Sequence, residues 1–319
     1  AWRLAAAGIP HPGELRRVSL RFCVFSYNRG RFLQNCVRSI ELCAPGQPIT
    51  VYDDGSDDGR TQQVLAAISE RHSVVQPSRA AGSGKHGGLY ANMQRALDEQ
   101  PTGSIICCIQ DDMQLVRPLD AAEFKAIRQH FAAARPAALL HPAFLKGSNR
   151  AADLVDIRYD AGAGGYFCDR HGRSAGSHYS DILLASVDQL REIGWRFGQR
   201  ESDNEQRARA TLPPMLHLLH PFVAWLPAVP AWRGRTQTLG LRLAQRFNQC
   251  GFYPLDILTE SQCSALLQRD PAVLPVAEDF LTAAEGPVPE PWHYHPLQGQ
   301  RLLKLLDSVE RSLRKAWPY

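Results

Sequence analysis

Along the first third of the chain the apolar positions switch repeatedly between contiguous strand-like runs and a helical repeat. Residues 18–25 (VSLRFCVF) are rich in β-branched and aromatic side chains and predict a strand, broken at Ser26-Tyr27-Asn28. Residues 31–42 carry apolar side chains at Phe32, Cys36, Val37 and Ile40, the spacing of a helix. A short strand at 49–52 ends in the loop sequence DDGSDDG, and helical spacing returns over 61–71. A third strand at 73–76 is followed by a glycine-rich loop and a helix over 89–99. The run SIICCI (104–109) then predicts a buried strand leading into Gln110-Asp111-Asp112. Strands alternating with helices at this pitch imply an α/β fold, a mostly parallel sheet flanked by helices.

The pattern loosens after residue 115. Residues 121–134 predict a helix, and the glycine-rich 160–180 segment fits an irregular hairpin or loop. Helical spacing is read over 181–194 (DILLASVDQLREIG), stopping at Gly194. Beyond residue 213 the chain is rich in Pro and Trp and gives weak signals. The last segment, 300–317, places Leu302, Leu306, Val309, Leu313 and Trp317 on one stripe, with Lys304, Arg311, Arg314 and Lys315 largely elsewhere. Packing of this stripe against its own domain is the first expectation. The alternative is peripheral contact with an anionic membrane, such as the inner face of a cell membrane. The expected divisions are a lead at 1–17, a nucleotide-binding half at 18–115, an acceptor half at 116–225 and a helical C-terminal extension at 226–319.

Composition narrows the picture only slightly. With 319 residues, 44% hydrophobic and 21% charged, the chain is an ordinary globular one. A formal net charge of +4 suits an anionic small ligand and falls well short of a nucleic-acid binder. No apolar run reaches the roughly 18 residues of a membrane span. The eight cysteines form no CxxC pair, and Cys23, Cys107 and Cys108 fall in strand-like runs, so a reducing, cytoplasmic setting is expected. The chain begins at Ala1 without an initiator Met, which reads as a processed chain or a piece of a longer one.

In an open parallel α/β sheet, ligands bind at the carboxyl ends of the strands. The polar clusters Tyr27-Asn28-Arg29, Asp53-Asp54 and Asp111-Asp112 all follow such ends, so they should converge on one crevice. Two adjacent carboxylates leaving an apolar strand are costly unless a cation neutralises them, and hard oxygen donors suit Mn²⁺ or Mg²⁺ bridging to phosphate oxygens. Tyr27 is placed to stack on a nucleobase, and Asp54 to accept from a ring N–H. The plainer alternatives are a tight acidic turn at 53–59 and a helix N-cap at Asp111-Asp112.

These segments, FCVFSYNRGRFLQNCVRSI, ITVYDDGSDDG and IICCIQDDM, resemble the inverting family-2 glycosyltransferases of the GT-A fold. The later ILLASVDQLREIGWRF and ESDNEQRAR resemble that family's acidic motif and trailing Arg, so the likeness covers roughly residues 18–210. The resemblance implies transfer of a sugar from a nucleotide-sugar donor, with a UDP-sugar the first expectation. The acceptor would be a hydroxyl on a glycan or lipid-linked glycan, as in surface polysaccharide assembly. It places Tyr27 and Asp54 on the base, Asp111 on the ribose or sugar, and Asp112 on the metal at the diphosphate. It gives Asp203 the role of general base and Arg209 that of the trailing Arg. The usual Glu-Asp pair reads Ser202-Asp203 here, which keeps Glu201 as a rival base. Where the family has Asn and Gly, this chain has Lys85-His86-Gly87-Gly88, making Lys85 a candidate phosphate or base contact; Arg29 joins the same nucleotide-binding set.

Other signals weigh less. Residues 82–87 satisfy G-x-G-x-x-G, but the match follows the third strand rather than the first, and the loop fails as a Walker A motif. His217 with His220, or His293 with His295, are possible further metal ligands and more often packed side chains. Among Trp195, Trp225, Trp232 and Trp292, Trp195 is the first choice for an acceptor-stacking platform. A sugar nucleotidyltransferase would need a basic glycine-rich loop after the first strand, for which SYNRGRF is a poor fit. A non-catalytic nucleotide- or glycan-binding module is the other alternative.

Overall fold

A computed structural model describes residues 19–77, 88–133, 137–169, 176–231 and 237–316. The 1–17 lead, Lys85 and Trp232 lie outside the described residues.

The strands are β1 (Ser19–Ser26), β2 (Ile49–Asp53), β3 (Ser73–Val75), β4 (Ser104–Gln110), β5 (Met113–Leu115), β6 (Leu140–His141), β7 (Ile157–Asp160), β8 (Gly165–Cys168), β9 (Leu183–Ser186), β10 (Leu216–Leu218) and β11 (Val223–Trp225). The helices are α1 (Gly30–Cys43), α2 (Gly59–Ser69), α3 (Gly88–Glu99), α4 (Ala121–Ala133), α5 (Arg150–Asp156), α6 (Val187–Glu192), α7 (Glu201–Thr211), α8 (Leu239–Phe247), α9 (Glu260–Gln268), α10 (Ala277–Phe280) and α11 (Arg301–Ala316).

Nine strands form one mixed sheet in the order β3-β2-β1-β4-β9-β6-β10-β8-β7, and β5 pairs with β11 in a small antiparallel ribbon. The first four strands are parallel throughout, as the strand–helix alternation requires. Side chains of β1 alternate between two layers. Phe22 and Val24 pack with Leu33, Val37 and Ile40 of α1, whereas Cys23 and Phe25 pack with Met93 and Leu97 of α3. This two-sided burial explains why VSLRFCVF is apolar almost throughout. The chain leaves β1 for β2 on one side, while β4 docks on the other, so a crevice opens where the order reverses.

The hairpin expected within 160–180 exists in part, as β7 and β8 paired from Ile157↔Cys168 to Asp160↔Gly165. The helical reading of 181–194 needs correction. Residues 183–186 form β9, antiparallel to β4, and only 187–192 are helical. Leu183, Leu184 and Ala185 are buried on both faces of the sheet, and a run apolar at every position imitates a helix segment. Ser186 then caps α6 by accepting from the Gln189 N–H, and Gly194 ends the segment at φ +63°.

The C-terminal helix forms where expected, but its stripe does not pack. Leu302, Leu305, Leu306, Val309 and Leu313 are all exposed, between 38% and 82%. The helix instead docks on α8 through Leu303, Asp307 and the close approach at Gly240. All eight cysteines are free thiols, and Cys23, Cys107 and Cys108 are fully buried. No helix among the described residues is long and apolar enough to cross a membrane.

Candidate functional site

The parallel register brings the strand exits level. Ser26 lies opposite Asp53, and Phe25 opposite Gln110. The next residues continue the ladder: the Asp54 N–H donates to Ser26 O at 2.9 Å, and the Asp111 N–H to Phe25 O at 3.0 Å. Tyr27, Asp54 and Asp111 therefore stand side by side at the end of the sheet, as their positions after strand ends implied.

Each loop is locked by its own side chains. Asp53 is completely buried and accepts from the Gly55 and Ser56 N–H groups and the Ser56 hydroxyl, so it shapes the turn. Burial raises its proton affinity, only partly offset by those donors. Asp58 caps α2 by accepting from the Thr61 N–H at 2.8 Å. Asn28, at φ +50°, clamps the first loop to the second through the Asp57 side chain and backbone. The acidic DDGSDDG loop is thus structural at Asp53, Asp57 and Asp58, and Asp54 stands between the end of β2 and the start of α3. Its carboxylate lies hard against Gly88 at the start of α3, where an added Cβ would collide with Oδ2.

Asp111 and Asp112 form the turn between β4 and β5, with no helix for them to cap. Asp111 accepts from the Ser26 hydroxyl and the Tyr27 N–H. The Arg29 guanidinium, itself buried, sits 2.5 Å from Asp112 and 3.5 Å from Asp111, and also donates to Pro230 O. Burial alone would lower the Arg29 pKa, but the Asp112 and Asp111 charges outweigh it and the net shift is upward. The acidic pair is therefore already neutralised in part by an internal cation. Asp112 Oδ1 is buried and has no hydrogen-bond partner, so one hard oxygen remains to be satisfied.

Among the described residues no group of three or more His, Cys, Asp or Glu is gathered to hold a metal. A single open carboxylate oxygen still fits Mn²⁺ or Mg²⁺, which keep several waters and take phosphate oxygens from a substrate. The histidine suggestions fare worse. His217 is buried and stacks on His141 at 4.5 Å, while His220 lies beside Arg269, and burial followed by that cation lowers its pKa to about 4. In the PWHYHP segment the His295 ring accepts from the Leu297 N–H, and the His293 backbone carbonyl from the Ala228 N–H.

A second cluster stands at the other side of the crevice. Asp181 precedes β9, whose antiparallel register Cys108↔Leu183 carries it to the exit of β4. Its carboxylate accepts from the Tyr90 hydroxyl at 3.1 Å, and its N–H faces Glu201 Oε1 at 3.4 Å. Burial, then the nearby Glu201 charge, raises the Asp181 pKa to about 7. Burial also raises Glu201, against the pull of the Asp181 N–H and Lys146. Lys146 stands 3.8 Å over the Trp225 ring and 5.1 Å from that of Tyr294. Trp225 adjoins Leu226, whose N–H donates to Asp112 O, so the two clusters are walls of one crevice.

Asp203 lies exposed in the first turn of α7, where the helix dipole favours a carboxylate. Two residues on, Glu205 is buried and accepts from the His178 and Tyr179 N–H groups; Arg209 pairs with it at 2.9 Å. Glu205 therefore anchors α7, and the trailing Arg pairs with it along the helix. Trp195 is 3% exposed and packs between Tyr179 and Phe197, a core role that removes it as a platform. Trp225 is half-buried and stands under Lys146. Asp181, Tyr90 and Lys146 went unread in the sequence; a strand at 183–186 would have placed Asp181 beside Asp111.

No protein-family model matches this chain, and no curated protein sequence does either. Solved structures give a likeness of shape at low identity. Staphylococcus aureus TarS 1-349 is 14% identical over 65% of this chain, with a TM-score of 0.43, and the match spans 60% of its length. The mannosyltransferase PcManGT from Pyrobaculum calidifontis, solved with GDP-Man and Mn²⁺, is 16% identical over 87% of this chain and 71% of its own, with a TM-score of 0.47. Glucosyl-3-phosphoglycerate synthase from Mycobacterium tuberculosis, solved with phosphoglyceric acid, is 17% identical over 74% of this chain and 81% of its own, with a TM-score of 0.42.

Proposed function

We propose that this chain is a glycosyltransferase of GT-A type that transfers a sugar, with inversion, from a nucleotide-sugar donor to an acceptor hydroxyl. The observation that carries the reading is the convergence of Tyr27, Asp54, Asp111 and the Arg29–Asp112 pair at the reversal point of the parallel sheet. Such a crevice suits a nucleoside diphosphate: an aromatic and a carboxylate for the base, and carboxylates with a cation for ribose and phosphates. Residues 18–115 would hold the donor and 116–225 the acceptor, with UDP the first nucleotide to try.

Asp112 would hold Mn²⁺ or Mg²⁺ through its open oxygen, and the ion would supply positive charge against the diphosphate. Arg29 keeps that carboxylate oriented and adds charge of its own. Lys85 is retained as a candidate phosphate contact. Across the crevice Asp203 takes the proton from the acceptor hydroxyl as that oxygen attacks the anomeric carbon from the face opposite the leaving group, which inverts the configuration.

The raised proton affinity of Glu201 favours it as a second candidate base. Release of nucleoside diphosphate from a panel of UDP- and GDP-sugars separates the two. Asp203→Asn should slow turnover by about 10²–10⁴-fold with donor binding intact. A comparable loss in Glu201→Gln, with Asp203→Asn near wild type, would move the base to Glu201. Donor binding without turnover under any acceptor would favour a non-catalytic module, and release of pyrophosphate from a nucleoside triphosphate a nucleotidyltransferase.

A further inference from the structure

We propose that α8 and α11 form a two-helix platform that docks flat on an anionic lipid surface. The inference is independent of the transferase reading.

On α11 the exposed side chains Leu302, Leu305, Leu306, Val309 and Leu313 fall within an arc of roughly 100° at 100° per residue. Leu303 and Asp307 point the other way, into the contact with α8. A continuous apolar stripe of this size is unusual on the surface of a soluble protein and marks an interaction face. On α8 the residues Leu239, Leu243 and Phe247 follow i, i+4, i+8 spacing, and Leu239 and Phe247 are 46% and 67% exposed. The Leu239 N–H donates to Glu310 at 2.6 Å, which brings the α8 face beside the α11 stripe.

The two helices are fastened to each other rather than merely adjacent. Gly240 lets them cross so closely that an added Cβ would meet Leu303 O at 2.7 Å and Asp307 N at 2.8 Å. The Thr238 hydroxyl donates to Asp307 at 2.6 Å beside that crossing. The pair therefore presents its apolar side chains as one fixed surface.

Charge selects the occupant. Arg301 edges the stripe on α11, while Arg242 and Arg246 stand one step round from the apolar face of α8; all three are exposed. The acids of these helices are engaged, Asp307 with Arg311 and Thr238, Glu310 with Arg314 and Leu239. Apolar arcs with basic edges are the pattern of a helix lying in the interface of an anionic bilayer. A second copy fits less well, because a two-fold contact through the same patch would bring these basic edges together. At about 24 Å, α11 is too short to span and suited to lie flat. The platform adjoins the crevice: Gln245 of α8 accepts from the Ala231 N–H, next to the Pro230 carbonyl that receives Arg29. Docking would hold the crevice close to the lipid surface.

The test is co-sedimentation of the full chain with phosphatidylcholine vesicles and with vesicles part-replaced by phosphatidylglycerol. Partition onto the anionic vesicles should exceed that onto neutral ones by about tenfold or more and fall with salt. Leu302→Glu with Leu305→Glu should cut it at least about tenfold, with the helical circular dichroism unchanged because both side chains are in solvent. Arg301→Gln and Arg242→Gln should each reduce anionic binding about fivefold. A chain that stays in the supernatant with every vesicle overturns the proposal. So does binding indifferent to Leu302→Glu with Leu305→Glu, or a concentration-dependent dimer that those substitutions abolish.

Discussion

Two groups of carboxylates face one crevice, and they are held in opposite ways. At the exits of β1 and β4, Asp111 and Asp112 are met by the Arg29 guanidinium, by the Ser26 hydroxyl and by the Tyr27 N–H. Across the crevice, Asp181 accepts from the Tyr90 phenol and turns its own N–H to Glu201, and both carboxyls are driven toward the protonated state. The first group is compensated in advance by an internal cation, as a binding surface for cations and polyols requires. The second is left partly uncompensated, which suits Asp181 to exchange a proton near neutrality.

The sharpest way to break the contrast is to remove the internal cation. Arg29→Met leaves buried Asp111 and part-buried Asp112 without their cation and should cost about 3–5 kcal/mol of stability, read by urea denaturation. Millimolar Mn²⁺ should restore more stability to this variant than it adds to wild type. A variant as stable as wild type would mean that Arg29 does not compensate the pair.

Asp181 gives the next largest effect, and its sign is opposite to that of an ion-paired carboxylate. Its folded pKa of about 7 lies above the ordinary 3.8, so the folded state holds the proton more tightly. The stability this lends is fully present below about pH 4 and is lost as pH rises through 7. Asp181→Asn should therefore flatten the pH dependence and be more stable than wild type at pH 8 by about 2–4 kcal/mol. Parallel stability–pH curves for the two proteins would show Asp181 to be charged throughout.

Tyr90→Phe is the smallest test. Loss of its hydrogen bond should cost about 1 kcal/mol at pH 8, where Asp181 is ionised, and less at pH 5. An equal cost at both values would uncouple the phenol from the Asp181 charge.

How far the sequence could be read follows the same divide. The compensated side sits at the ends of parallel strands whose apolar runs are bounded by helices, so Tyr27, Asp54, Asp111 and Asp112 were placed by strand order alone. Even there, Arg29 was read as a contact for nucleotide, and only folding shows it on the carboxylates. The opposite side depends on antiparallel and irregular segments. Residues 183–186, buried on both faces, imitate a helix, and that misreading hid Asp181. Lys146 lies in FLKGSN, which carries no periodicity, and reaches Trp225 only through tertiary packing. Trp195 reads as a platform in sequence because aromatics serve both as plugs and as stacking faces, and its burial decides between them. The C-terminal stripe had the right period, but a period cannot say what covers a face.

The central claim is that the compensated wall is a nucleoside-diphosphate site, and calorimetric titration tests it most directly. UDP, GDP and CMP would be titrated into wild type and Asp112→Ala, each with and without Mn²⁺. The account predicts micromolar binding of one nucleoside diphosphate, UDP first, that requires both Mn²⁺ and Asp112. Absence of binding by every nucleotide, or binding equally tight in Asp112→Ala, would contradict it.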